Sequence, residues 1–140
     1  MVSGYPDWEG EKSKLYTGAD WAAVEAYDVN LTIAGGPVGY GLAATLVYVV
    51  PAGQTLYISQ VSFACYASVA ANADNNQMAV VQILDATTGA LLYREGGNGG
   101  AGQVFSKPLV IPGGNTLNLI IACLANHNCM LVAHAGGYLI

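Results

Sequence analysis

"VPAGQTLYI" occupies residues 50–58, and "IPGGNTLNL" occupies residues 111–119. Pro, Gly, Thr and Leu recur at matching places, and both stretches begin and end on aliphatic residues. In each, Pro fixes φ at the start of a turn, and a glycine supplies a φ that other residues avoid. The Thr-Leu-x-aliphatic segment then starts a strand with one buried face. A device used twice in one chain predicts equivalent corners in the two halves of a sandwich. Two Greek keys in one chain give a jelly roll.

The runs on either side of both corners have strand length and strand composition. They lie at 42–50, 55–67, 77–85, 90–95, 103–111, 116–126 and 129–140. Within 55–67, Leu56 and Ile58 alternate in one phase, and Val61, Phe63 and Cys65 in the other. The slip near Ser59–Gln60 predicts a β-bulge. "DATTG", 85–89, reads as a turn in which Asp85 bonds the backbone ahead and Gly89 takes positive φ. Pro108 inside its run places that strand at a sheet edge or a bulge. "GGNGGAG", 96–102, reads as a flexible loop; it lacks the Lys-Ser/Thr and the following helix of a phosphate loop. Short strands between Gly/Pro turns predict an all-β fold, a single jelly-roll-like β-sandwich over 37–140. Residues 1–36 form an extended N-terminal arm on this reading, joined through the Gly-rich "IAGGPVGYG", 33–41. "GADWAAVEAY", 18–27, suits either a short helix capped by Asp20 or a continuation of the arm.

Charge is scarce and unevenly placed. Hydrophobic residues make up 54% and charged residues 9%, against about 25% charged in ordinary soluble domains. Asp7, Glu9, Glu11, Asp20, Glu25, Asp28, Lys12 and Lys14 all fall in the first 28 residues. Neither 29–73 nor 108–140 contains any Asp, Glu, Lys or Arg. The net charge of −5 argues against nucleic-acid binding, which needs clustered Lys or Arg. No run is long and apolar enough for a spanning helix, so no membrane partner is expected. No secretory signal pattern opens the chain, which points to synthesis in the cytoplasm. A domain so poor in charge must hide apolar surface against a partner, and symmetric self-assembly achieves this.

The candidate chemistry is thin. His127, Cys129 and His134 cluster in sequence, but their spacing matches no standard set of four zinc ligands, so no metal is expected. Cys65, Cys123 and Cys129 read as buried thiols, although Cys123 and Cys129 are close enough to clip a hairpin. "NADNN", 72–76, offers oxygen donors but a single acid, too little charge for a tight calcium site. "NLT" at Asn30 matches a glycosylation acceptor that means little without secretion. No nucleophile motif or triad is present, so no catalytic residue, enzyme activity or cofactor is expected. The aromatics Tyr5, Trp8, Tyr16, Trp21 and Tyr27 stud the arm and suit an interface centre, or else pack on their own domain.

Two stretches carry a family resemblance: "SGYPDW", 3–8, and the set "VPAGQTLYISQVSF", "ILDATTGALLY" and "FSKPLVIPGGNTLNLII". Together they resemble the single jelly-roll domains of phage and virus surface proteins, namely head decoration proteins, head fibres and related tail proteins. The resemblance implies a virion component made in the host cytoplasm. It implies a homo-oligomer, usually a trimer, whose arm reaches neighbouring subunits, with the major capsid protein or other virion proteins as partners. Other readings remain open. Jelly rolls often bind sugars, and Tyr57, Tyr66 and Tyr93 would then be the contact residues of a carbohydrate- or receptor-binding module. A filament subunit would exchange residues 19–34 as a donor strand. A cupin-like enzyme would need more strand histidines than this chain supplies.

Overall fold

The computed structural model describes residues 28–39, 41–69 and 76–140. Eight strands follow in order: β1 (Asp28–Val38), β2 (Ala43–Val49), β3 (Leu56–Ala67), β4 (Met78–Asp85), β5 (Ala90–Asn98), β6 (Gly100–Ile111), β7 (Thr116–Cys123) and β8 (Cys129–Leu139). They form two antiparallel sheets, sheet A in the order β1-β8-β3-β6 and sheet B in the order β2-β7-β4-β5. β1 pairs with β8, β2 with β7, β3 with β6, and β4 with β5. The chain is thus one long antiparallel hairpin with its tip at the β4–β5 turn. Rolling that hairpin lays β8 against β3 and β7 against β4. The all-β sandwich expected from the corners is observed, and its strand order is that of a jelly roll.

Alternation along each strand sends one face inward. Leu56, Ile58, Ile83, Leu119, Ile121 and Leu131 are fully buried between the sheets. Each contributes about 1.5–3 kcal/mol by leaving water. The phase slip expected in β3 is observed, with the register to both β6 and β8 shifting between Ile58 and Gln60. Across that shift β6 passes from Leu109 to Val104, so Pro108 lies in the irregular stretch of an edge strand. There its missing N–H costs no ladder bond.

The two corners pack on one another. Each closes with a bond from residue four to the carbonyl of its proline, Gln54 N to Pro51 O at 3.2 Å and Asn115 N to Pro112 O at 3.1 Å. Gly53 and Gly114 hold φ of 84° and 86°, the third-position geometry of a type II turn. Val50 N donates to Asn115 O at 2.9 Å, and Gly114 N donates to Val50 O at 2.8 Å. Where the first corner has Ala52 the second has Gly113, because a Cβ there would run into the Pro51 and Gln54 carbonyls. Asp85 completes this end of the sandwich. Its buried carboxylate accepts from Thr87 N at 3.0 Å, Thr88 N at 3.3 Å and Asn115 Nδ2 at 3.0 Å. The predicted turn is therefore also a tie between the hairpin tip and the second corner.

Several expectations shift in detail. The glycine run 96–102 is not a loop: β5 extends to Asn98 and β6 begins at Gly100. Glycine there serves close approach, since a Cβ on Gly100 would strike the Phe63 carbonyl of β3. The boundary expected at 36/37 falls inside β1, which pairs with β8 from Asp28 onward. The run 116–126 ends as strand at Cys123, where Leu124 N turns to bond Met78 O at 2.9 Å. The candidate helix 18–27 lies outside the described residues.

Candidate functional site

The thiols gather at the end of the sandwich opposite the corners. Cys65, Cys123 and Cys129 are free and buried. Cys129 Sγ lies 3.6 Å from His127 Nδ1 and 3.5 Å from Gln77 Oε1. His127 Nε2 donates to the Asn76 carbonyl at 2.9 Å, which fixes the ring. Burial pushes all three thiols upward, and burial with the neighbouring Cys65 pushes Cys129 up to about 11. At neutral pH these are protonated thiols, and the thiolate is the form that attacks carbon or binds metal. Among the described residues no group of three or more His, Cys, Asp or Glu is placed to hold a metal ion. His134 sits elsewhere, on the outside of β8, where its Nε2 donates to Asn30 Oδ1 at 3.2 Å. Of the oxygen-rich stretch 72–76, Asn76 alone is described.

The tyrosines proposed for sugar contact do not converge. Tyr57 and Tyr66 both point outward from β3 but stand at its two ends. Tyr57 stacks on Tyr138 of β8, ring centroids 5.2 Å apart and planes within 15°. Tyr93 turns the other way, packs against the core and meets Phe105 edge to face at 5.1 Å. Its hydroxyl donates to Glu95. Burial, with that carboxylate second, pushes Tyr93 up to about 12. Tyr5, Trp8, Tyr16, Trp21 and Tyr27 lie outside the described residues.

The two outer faces differ in kind. On sheet A, one row reads Asn30, Gly136, Gln60 and the exposed Val104, with the Gln60 and His134 side chains lying over Gly136, and the next row holds Thr32, His134 and Ser62. This polar belt separates Tyr57 and Tyr138 at one end from Met130, Val132 and Tyr66 at the other. On sheet B, one row reads Val47, Asn118, Leu84, Leu91 from β2 to β5, and the next reads Thr45, Ile120, Gln82, Arg94. Val47 is 63% exposed, Val49 61% and Leu91 52%. Asn118 Oδ1 is buried in the middle of this face with no hydrogen-bond partner. The side chains of Asp85, Arg94, Glu95 and Lys107 are the Asp, Glu, Lys and Arg groups described beyond Asp28. Asp85 is buried and Glu95 partly so, leaving Arg94 and Lys107 exposed.

No protein-family model matches the chain, and no curated protein matches it. The sandwich fold is thus established by the strand pairing itself. Sequence reading found the strands but missed the sheet B face, because alternation marks which residues are inside without saying how apolar the outside may be. The signal was present in "AATLVYV" and "TLNLIIAC", where every second, outward position still favours Ala, Val or Ile over charge.

Proposed function

We propose that this protein is a non-enzymatic structural subunit, a jelly roll that reinforces a larger particle in the manner of a capsid decoration protein. One observation carries the reading: an eight-stranded sandwich whose outer face on sheet B exposes Val47, Val49 and Leu91 and whose described surface from Val29 onward shows two exposed cationic side chains and no exposed acidic one. A surface of that kind is stable in water when a partner covers it. Apolar burial, at about 25 cal/mol per Å², drives such contacts, offset by the ordering each partner loses. The protonated thiols and dispersed histidines support a mechanical role over a catalytic one. The virion setting rests on the resemblance of the two corner stretches and the Asp85 turn to phage surface jelly rolls. Co-sedimentation of the full chain with emptied phage capsids, followed by electron microscopy, tests it. Regular added density on the capsid lattice is the expected result; a chain left wholly in the supernatant would count against decoration.

A further inference from the structure

We infer that β2 is a self-pairing edge, through which two copies of this chain join their B sheets across a two-fold axis. The inference rests on the assembly reading above and names its partner.

Among the described residues the four sheet edges are β1, β6, β2 and β5. An unpaired edge strand invites pairing with another chain unless charge, proline or a bulge blunts it. Three of the four are blunted. β1 contains Pro37 and a register break between Gly35 and Val38. β6 carries Lys107, Pro108 and the break opposite Ile58–Gln60. β5 carries Arg94 and Glu95 and meets a break between Ile83 and Leu84. β2 has none of these. Its sequence AATLVYV contains no charge, proline or glycine, and it runs against β7 without a break from Ala43 to Val49.

The backbone groups of β2 that no described strand pairs can be assigned. Val50 N bonds Asn115 O at one end, and Cys123 N bonds Leu42 O at the other. Antiparallel pairs alternate between bonded and non-bonded. Ala44, Leu46 and Tyr48 therefore bond to β7. The N–H and C=O groups of Ala43, Thr45, Val47 and Val49 face away from it. The side chains of those four residues are exposed as well.

The strand is complementary to itself when reversed. Centred on Leu46, the antiparallel register sets Thr45 opposite Val47 and Ala43 opposite Val49 of the second copy, and these are the residues with free backbone groups. On the inner face it sets Ala44 opposite Tyr48 and Leu46 opposite Leu46. Ala43 then faces Val49 and Ala44 faces Tyr48, small against large, while Thr45 faces the similarly shaped, β-branched Val47, so the cross-strand pairs fit. The result is one continuous sheet with Val47 and Val49 of both copies on a single outer face. A two-fold contact closes with two copies, where the family resemblance implies three.

The test uses the full chain. Analytical ultracentrifugation is expected to give twice the chain mass of 14.4 kDa, with Thr45 and Val47 amides exchanging at least about a hundredfold slower than in a dissociated sample. Isotope-filtered nuclear Overhauser contacts in a mixed-label sample are expected between Thr45 of one copy and Val47 of the other. Val47→Lys gives a folded monomer, while Val104→Lys, at a still more exposed valine on β6 (74%), leaves the dimer intact. If the chain assembles yet Val47→Lys stays assembled, or the filtered contacts run from Thr45 and Val47 to residues 1–27, this pairing is wrong and assembly stands. A full chain monomeric at about 500 μM, far above the concentrations at which micromolar interfaces form, overturns this pairing and self-assembly in solution, and capsid co-sedimentation then decides the decoration reading separately. The amide and filtered-contact measurements use the unsubstituted chain, so they decide even if Val47→Lys fails to fold.

Discussion

Sheets A and B share one core and follow the same alternation inward, yet they face water differently. Outside sheet A, the centre is a belt of Asn30, Gln60, Thr32, His134 and Ser62, with a stacked tyrosine pair beyond it. Outside sheet B, Val47, Leu84, Leu91 and Ile120 surround an amide oxygen that has no partner. Inward alternation is dictated by folding. What lies outward is free to serve something else, and here the two faces record different requirements. Sheet A is polar over its middle, with the exposed Val104 at its β6 edge. On the proposed reading, sheet B is the contact surface.

The largest effect is expected from placing one charge on each face. Leu84→Lys on sheet B should weaken attachment to the capsid by about a hundredfold or more, as a buried unpaired charge at an interface costs several kcal/mol. Ser62→Lys on sheet A should leave it unchanged. Co-sedimentation with emptied capsids over a dilution series reads both, and equal effects would erase the distinction between the faces.

Next comes the tie that holds the corners and the hairpin tip in place. Asp85→Ala removes an acceptor from Thr87 N, Thr88 N and Asn115 Nδ2, and should cost about 2–4 kcal/mol of folding stability. Urea unfolding at dilution, where the chain is monomeric, measures it. A loss below about 0.5 kcal/mol would show that water replaces the carboxylate without penalty.

A smaller effect of opposite sign is expected at Asn118. Replacing it by Val removes the buried amide oxygen and should stabilise the isolated chain by about 1 kcal/mol. If the oxygen finds its donor in the partner that covers sheet B, the same variant should bind that partner less well. A variant that is both less stable and equally associated would mean Asn118 serves the fold alone.

The smallest effect separates the interior from both faces. Cys129 and Tyr93 are pushed up to about 11 and 12 from ordinary values of 9 and 10. The unfolded chain therefore releases these protons first as pH rises, and stability that is complete below pH 9 should decline between pH 9 and 12. Denaturation midpoints across that range give the trend. A flat profile would mean that the thiol and the phenol are more solvated than their burial implies.

Much of the fold was legible in the residues. The paired corners, the Asp85 turn, the slip at Ser59–Gln60 and the irregular place of Pro108 each follow from local backbone chemistry that acts at short range. The glycine run 96–102 was misread because glycine marks both mobile loops and strands that approach a neighbour closely, and only the presence of β3 distinguishes them. The start of β1 was hidden for a similar reason: its partner β8 lies at the far end of the chain, and Gly35, Gly36 and Pro37 look like a linker until that partner is in place. Tyr93 could not be separated from Tyr57 and Tyr66 by sequence, since a half-buried strand shows its period before it shows its direction. The candidate surface was the least legible part, because it depends on which strands lie side by side.

Carbene footprinting of the full chain, free and bound to emptied phage capsids, tests the central claim most directly. Val47, Leu84, Leu91 and Ile120 are predicted to lose labelling on binding while Val104 and Val132 on sheet A keep it. Equal loss on both sheets, or loss confined to sheet A, would contradict it.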